Sequence, residues 1–260
     1  MKTASTQRGF TLVELMIAVV IGLFLVGGLL TLVQAMKRTS VSQSGLSQLQ
    51  ENERMAMSLM TDVIQSTGYF NDPVSNTATS VFPVSTPFTV AGQSIFGIGV
   101  YGAAAPGNTV TVRYLTAGTG AATPDNIINC SGGTNAAAAT FVNKFSINAA
   151  TGNLECQLTV IVGGVSTVTT VPLINGLTNM KIYYGVQTNT GVSNNSVDCY
   201  LDATAVAAGP YWNAVKTVKV TLVFVNPMYG NSPGQTTINT PQTINFTRII
   251  PVMSNMGVST

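Results

Sequence analysis

The chain has 260 residues, 8% of them charged where ordinary soluble domains carry about 25%; 11 Lys and Arg against 9 Asp and Glu leave a formal charge of +2, too little for an electrostatic case for nucleic-acid or acidic-lipid binding. There is no histidine, which removes Ser-His-Asp and Cys-His catalysis as usually built. With no closely spaced cysteine pair either, there is no set of zinc ligands, so neither an enzyme nor a metal or cofactor site is expected.

Residues 9–33, GFTLVELMIAVVIGLFLVGGLLTLV, form an apolar run holding one acid, Glu14, behind a short leader with Lys2 and Arg8. From Phe10 to Val33 there are 24 residues, about 36 Å of helix, enough to cross a bilayer. A carboxylate left unpaired at mid-membrane depth costs about 2.5–3.5 kcal/mol on insertion scales, so Glu14 needs a use. Three readings fit. A plain transmembrane anchor explains the length but not Glu14. A secretory signal peptide explains the basic leader and finds a small-residue cleavage site at Val33-Gln34-Ala35, but its apolar core normally spans about 7–15 residues. A leader cut between Gly9 and Phe10 keeps the helix on the mature protein and makes Glu14 its fifth residue. That cut would also remove Lys2 and Arg8, leaving side-chain bases and acids equal in number. Charge orients the segment weakly, with Lys2, Arg8 and the amino terminus before it and Lys37 and Arg38 after it.

The helix continues past the apolar run. Between Lys37 and Gln65 there is no proline and a single glycine, Gly45. Leu46, Leu49, Ala56, Met60, Val63 and Ile64 fall at spacings close to a helical stripe, with Gln48, Glu51, Arg54 and Asp62 on other faces. Gly68, followed by Tyr69-Phe70-Asn71-Asp72-Pro73, is a stop signal. The pattern predicts one helix over 10–67, about 87 Å long. Its first half suits a membrane, and its second half lays the stripe on the chain's own head. Gly22, Gly27 and Gly28 each weaken the helix by about 1 kcal/mol. They fit ordinary membrane-helix content, or a segment that bends or melts locally on leaving the bilayer.

Residues 73–108 read as irregular loop with short extended pieces. Period-two and β-branched segments follow at 109–115, 140–147, 154–162, 166–171, 179–186, 215–225 and 242–249. Gly163-Gly164 would close a hairpin. Residues 187–214 read as a long polar insertion. The expected fold is α+β, a long N-terminal helix whose C-terminal half packs on an antiparallel sheet. The domain reading is a leader at 1–9, a helix at 10–68 with 10–33 as a transmembrane segment (the filament core, if the resemblance described next holds), and a β-rich head at 69–260.

The string Arg8-Gly9-Phe10-Thr11-Leu12-Val13-Glu14-Leu15 resembles the class III signal of type IV pilins and type II secretion pseudopilins, with its Gly, Phe and Glu all in place. The resemblance implies cleavage after Gly9 by a prepilin peptidase, N-methylation of Phe10, and pairing of Glu14 with the N-terminal amine of a neighbouring subunit. An opposite charge of that kind makes a desolvated carboxylate tolerable. The head is similar to one subgroup. Leu49-Gln50-Glu51-Asn52-Glu53-Arg54, the segment 62–69, Val110-Thr111-Val112-Arg113-Tyr114, the strand 177–186 and the segment 212–220 resemble PilW-type minor pilins; Gln65, where Arg is usual, and the insertion around Cys199 depart from them.

The resemblance implies a pilin-like fold and a minor pilin at or near the tip that helps prime assembly of a type IV pilus and supports adhesion, twitching motility or DNA uptake. Its partners would be the major pilin, other minor pilins and prepilin peptidase, with the bacterial inner membrane as its station before assembly and the extracellular pilus after. The alternatives are a minor pseudopilin of a type II secretion system and a membrane-anchored extracellular binding module.

Three cysteines, Cys130, Cys156 and Cys199, would lie on the oxidising side of the membrane, where two of them are expected to pair. Cys130–Cys156 is the chosen pair, because each borders a predicted strand and the PilW-like pattern places cysteines in this part of the head. Cys199 is then expected as a buried thiol, and a pair involving it is the alternative. Beyond Asp72 the acids are Asp125, Glu155, Asp198 and Asp202. Asp198 and Asp202 with Asn194 and Asn195 could offer oxygens to calcium, but no EF-hand spacing is present and solvated turn residues are the expectation. Tyr211 and Trp212 read either as an exposed aromatic anchor or as core, and core is the commoner fate of Trp.

Overall fold

The computed structural model describes residues 9, 11–99, 107–189, 196–229 and 241–256. Phe10 and residues 1–8 of the leader lie outside them. The chain divides into two compact units, Met1–Ser47 with Pro227–Thr240, and Gln48–Asn226 with Pro241–Thr260. Helix α1, Leu12–Gln65, contributes to both.

In the first unit the apolar part of α1 is bare. Leu12 through Met36 expose their large side chains, Phe24 to 82%, and by length and composition the segment is able to cross a membrane. The helix is unbroken through Gly22, Gly27 and Gly28. Thr31 and Thr39 donate their hydroxyls to the carbonyls of Gly28 and Ala35, at 2.8 and 3.0 Å. These bonds leave no hydroxyl hydrogen to be satisfied by lipid. Gly45 has a steric reason the sequence did not show, since a Cβ there would lie 2.9 Å from Pro227.

In the second unit α1 buries Leu49, Ala56, Met57, Met60, Val63 and Ile64. Leu46, expected in the stripe, is half-buried, and Met57 takes a buried place. The helix ends at Gln65, and Gly68 makes the turn away from it with φ of +73°. Its N–H donates to the Arg113 carbonyl at 2.9 Å, and a Cβ there would meet Ser254 Oγ. No other residue type fits so crowded a left-handed position.

The expectation of one sheet is corrected to two, both antiparallel. The first runs in order β1 (Ile95–Ile98), β2 (Thr109–Thr116), β3 (Ala139–Asn148), β4 (Asn153–Val162) and β5 (Val165–Ile174). The second is ordered β7 (Cys199–Leu201), β6 (Leu177–Val186), β8 (Val215–Val225) and β9 (Thr243–Pro251). Alternation is cleanest in β3, which buries Ala139, Phe141, Asn143, Phe145 and Ile147 and leaves the intervening residues half-covered. Gly163 and Gly164 close the β4–β5 hairpin with φ of 57° and 83°, the positive values a two-residue turn requires. Residues from α1 and both sheets share one hydrophobic core.

Two stretches read as loop carry structure. Within 73–108 lie α2 (Ala78–Val81), capped by Thr77 and Ser80, and β1. Within 187–214 lie β7, α3 (Ala203–Ala208) and a 3-10 turn at Trp212–Ala214. Such pieces are too short to show a period, and their apolar anchors, Ala203, Val206 and Trp212, are scattered.

Arg113 organises the first of these stretches. It is 3% exposed and faces away from the Val112 and Tyr114 side of β2. Its guanidinium donates to the carbonyls of Gln93, Pro83 and Phe82 and to Ser85 Oγ, and lies 4.2 Å from the Phe88 ring centroid and 5.3 Å from that of Phe82. Burial lowers its pKa to about 10, so it stays charged at neutral pH. Carbonyl oxygens and ring faces stand in for a carboxylate partner.

Candidate functional site

The amino-terminal site starts with an N-cap. The Glu14 backbone N–H donates to Thr11 Oγ1 at 3.3 Å, and Leu15 N–H donates to the Thr11 carbonyl at 3.2 Å. Thr11-Leu12-Val13-Glu14 is the T-x-x-E pattern of a capping box, and Glu14 is the acid of the first helical turn. The sequence signal for this second role was present and was overshadowed by the apolar run. The cap fixes where α1 begins and so where the carboxylate projects. Glu14 is exposed on a helix whose apolar neighbours are also exposed, and Gly9 is exposed ahead of it. Glu14 is thus a capping-pattern acid standing between the exposed apolar side chains of Val13 and Leu15.

In the head, Cys130 and Cys156 form a disulfide, with Cα atoms 5.9 Å apart and both residues buried. It ties the connection between β2 and β3 to strand β4. Cys130 N–H also donates to Asn143 Oδ1 at 2.8 Å, Tyr114 Oη donates to the Ile128 carbonyl at 2.6 Å, and Asn129 Oδ1 accepts from Ser131 and Gly133. Asp125 holds the other end of this connection. It accepts from Thr116 Oγ1 at 2.5 Å and from Ala117 N–H at 2.7 Å. Burial opposes its charge, but these donors, with the N–H groups of Ile127 and Gly118, outweigh that and bring its pKa below the ordinary carboxylate value.

Cys199 is half-buried rather than the buried thiol expected, because it starts the short edge strand β7. Asp198 accepts the N–H groups of Asn189 and Thr188, which lower its pKa, and Asp202 caps α3 by accepting from Ala205 N–H at 2.8 Å. Both acids thus hold local backbone. Asn194 and Asn195 lie outside the described residues, and among the described residues no cluster of three metal-ligating side chains occurs. Trp212 is core, packed on Tyr184 and Phe96 with centroids 5.1 and 5.4 Å apart.

An open cleft of about 590 Å³ lies beside the end of α1, lined by Asp62, Gln65, Tyr69, Asp125, Asn126 and Met253 among others. Burial, the Asp125 charge and a hydrogen bond to it raise the Tyr69 pKa. The cleft lining brings two carboxylates, Asp62 and Asp125, together with the hydroxyl side chains of Ser66, Thr67, Tyr69 and Ser254.

Two family models match the sequence. The prokaryotic N-terminal methylation motif matches residues 4–30, and Type IV Pilus-assembly protein W matches residues 144–251. Curated proteins give no match.

Proposed function

We propose, from the premise that this chain is a PilW-type minor pilin with a pilin-like role in type IV pilus assembly, that it is inserted in the bacterial inner membrane, cut between Gly9 and Phe10 by prepilin peptidase, methylated at Phe10, and carried into the pilus. Residues 10–68 then act as its assembly helix and 69–260 as its head. The observation that carries this reading is the coincidence at one point of the chain of a methylation motif, an exposed apolar run of helix and, in its first turn, a Glu14 carboxylate with no partner among the described residues. In the filament the Glu14 carboxylate meets the freed amine of an adjoining subunit, and each charge removes the other's desolvation penalty. Bare helix faces then exchange lipid for other pilin helices at little change in apolar exposure.

The match to a pilus-assembly protein supports a pilus over a type II secretion pseudopilus. Priming of assembly at or near the tip, contacts with the major pilin and other minor pilins, and support of adhesion, motility or DNA uptake follow from the same reading. The test is mass spectrometry of the mature chain from cells. The expected product begins at Phe10 and carries one added methyl group; a product still bearing residues 1–9 overturns the reading.

A further inference from the structure

We infer that the outer edge of β5 is a self-association edge, pairing antiparallel with β5 of a second copy of this chain about a two-fold axis at Val168. β5 ends its sheet, with β4 as its single neighbour among the described residues. From Val165 to Thr170 it is exposed on both faces, Val165 to 71% and Val168 to 58%. The sequence between Glu155 and Lys181 has no charged residue. Proteins usually blunt a free edge with short length, lysine or a covering element. The edges β1 and β7 are short, with 4 and 3 residues, and β9 carries Arg248, which donates to Thr61 of α1 at 3.2 Å. β5 has 10 residues and none of these devices along its first seven.

The backbone bounds the usable stretch. Val162 pairs with Val165 across the two-residue turn, and a closing pair of this kind turns its hydrogen-bonding groups inward. Alternation then points the N–H and C=O of Ser166, Val168 and Thr170 outward. The next outward residue is Pro172, which has no N–H to give. The pairing stretch is therefore 165–171, and its midpoint is Val168. About that midpoint the sequence is a near-palindrome, with Val165 matched to Val171, Ser166 to Thr170, and Thr167 to Thr169.

Two copies aligned on Val168 thus set Val against Val and hydroxyl against hydroxyl at every position, the pairings that favour neighbouring strands. Moving the axis to Thr167 or Thr169 sets Val168 against Ser166 or Thr170 and loses the match. A strand built for an unrelated partner has no need of mirror order, whereas a two-fold contact uses the same patch twice. An edge of this length is small for a stable interface, so the pairing depends on both copies sharing one membrane, which raises their effective concentration.

The test uses the full chain in membrane vesicles in a Cys199→Ser background, oxidised and run without reductant, with an intact Cys130–Cys156 bond as the check on folding. A hydrogen-bonded antiparallel pair places Cα atoms about 5.5 Å apart, within disulfide reach. Val168→Cys is expected to give a covalent dimer, Val165→Cys alone to give none, and Val165→Cys mixed with Val171→Cys to give one. Adding Ser166→Lys and Thr170→Lys to Val168→Cys sets like charges opposite each other, and the dimer is expected to be lost. Absence of the Val168→Cys dimer, or equal dimer from Val165→Cys alone, overturns the inference.

Discussion

α1 carries two apolar surfaces of different kinds. Between Leu12 and Met36 the apolar side chains occupy all faces and stay exposed, whereas between Leu49 and Ile64 most keep to a buried stripe, Met55 being the exposed exception. The difference separates partners supplied by other molecules from partners supplied by the same chain. A continuous apolar run has no preferred side and suits lipid or several neighbouring helices. A stripe has one side and needs one companion surface, here the head.

The largest expected effect lies in the stripe. Met60→Ala removes a fully buried side chain and is expected to destabilise the head by about 2–5 kcal/mol. Leu23→Ala, in the bare run, is expected to change head stability by less than about 0.5 kcal/mol. Denaturation of the full chain in detergent, followed by Trp212 fluorescence, measures both, and equal effects would erase the contrast. Next comes the disulfide. Cys156→Ala opens a crosslink spanning 26 residues in sequence and is expected to cost about 3 kcal/mol in the head, with helicity of the apolar run unchanged by circular dichroism.

The smallest effect concerns Asp125, whose lowered pKa makes its contribution present above the ordinary carboxylate range and lost as pH falls through the folded value. The group is partly exposed, so the loss is expected to be no more than about 1 kcal/mol. Acid denaturation curves of Asp125→Asn should be flatter than those of the natural chain below about pH 4.

Strong local periodicity made much of this legible in the sequence. The continuous helix, its stripe, the Gly68 stop and the strands β2 to β6, β8 and β9 all announce themselves by period or by β-branched runs. Gly163-Gly164 announces its turn because few other residues accept two positive φ values in succession. The division into two sheets was not legible, since alternation within a strand says which face is buried but not which strands pair. β1, β7 and α3 were missed because short elements owe their conformation to tertiary contacts such as those of Trp212. The role of Arg113 was hidden for a related reason: its partners are backbone carbonyls, which every sequence has. At the amino terminus the T-x-x-E cap was readable at Thr11 and Glu14. The proposed partner of the carboxylate, the amine of a neighbouring subunit, came from the resemblance of residues 8–15 to a class III signal and not from the residue pattern itself.

Incorporation of a tagged Glu14→Ala chain into filaments, in cells that also make the untagged natural chain so that pili still form, tests the pairing of Glu14 most directly. The expected result is a variant present in the membrane at normal level and missing from sheared pili. A variant found in pili in the same proportion as a tagged natural chain would contradict the pairing.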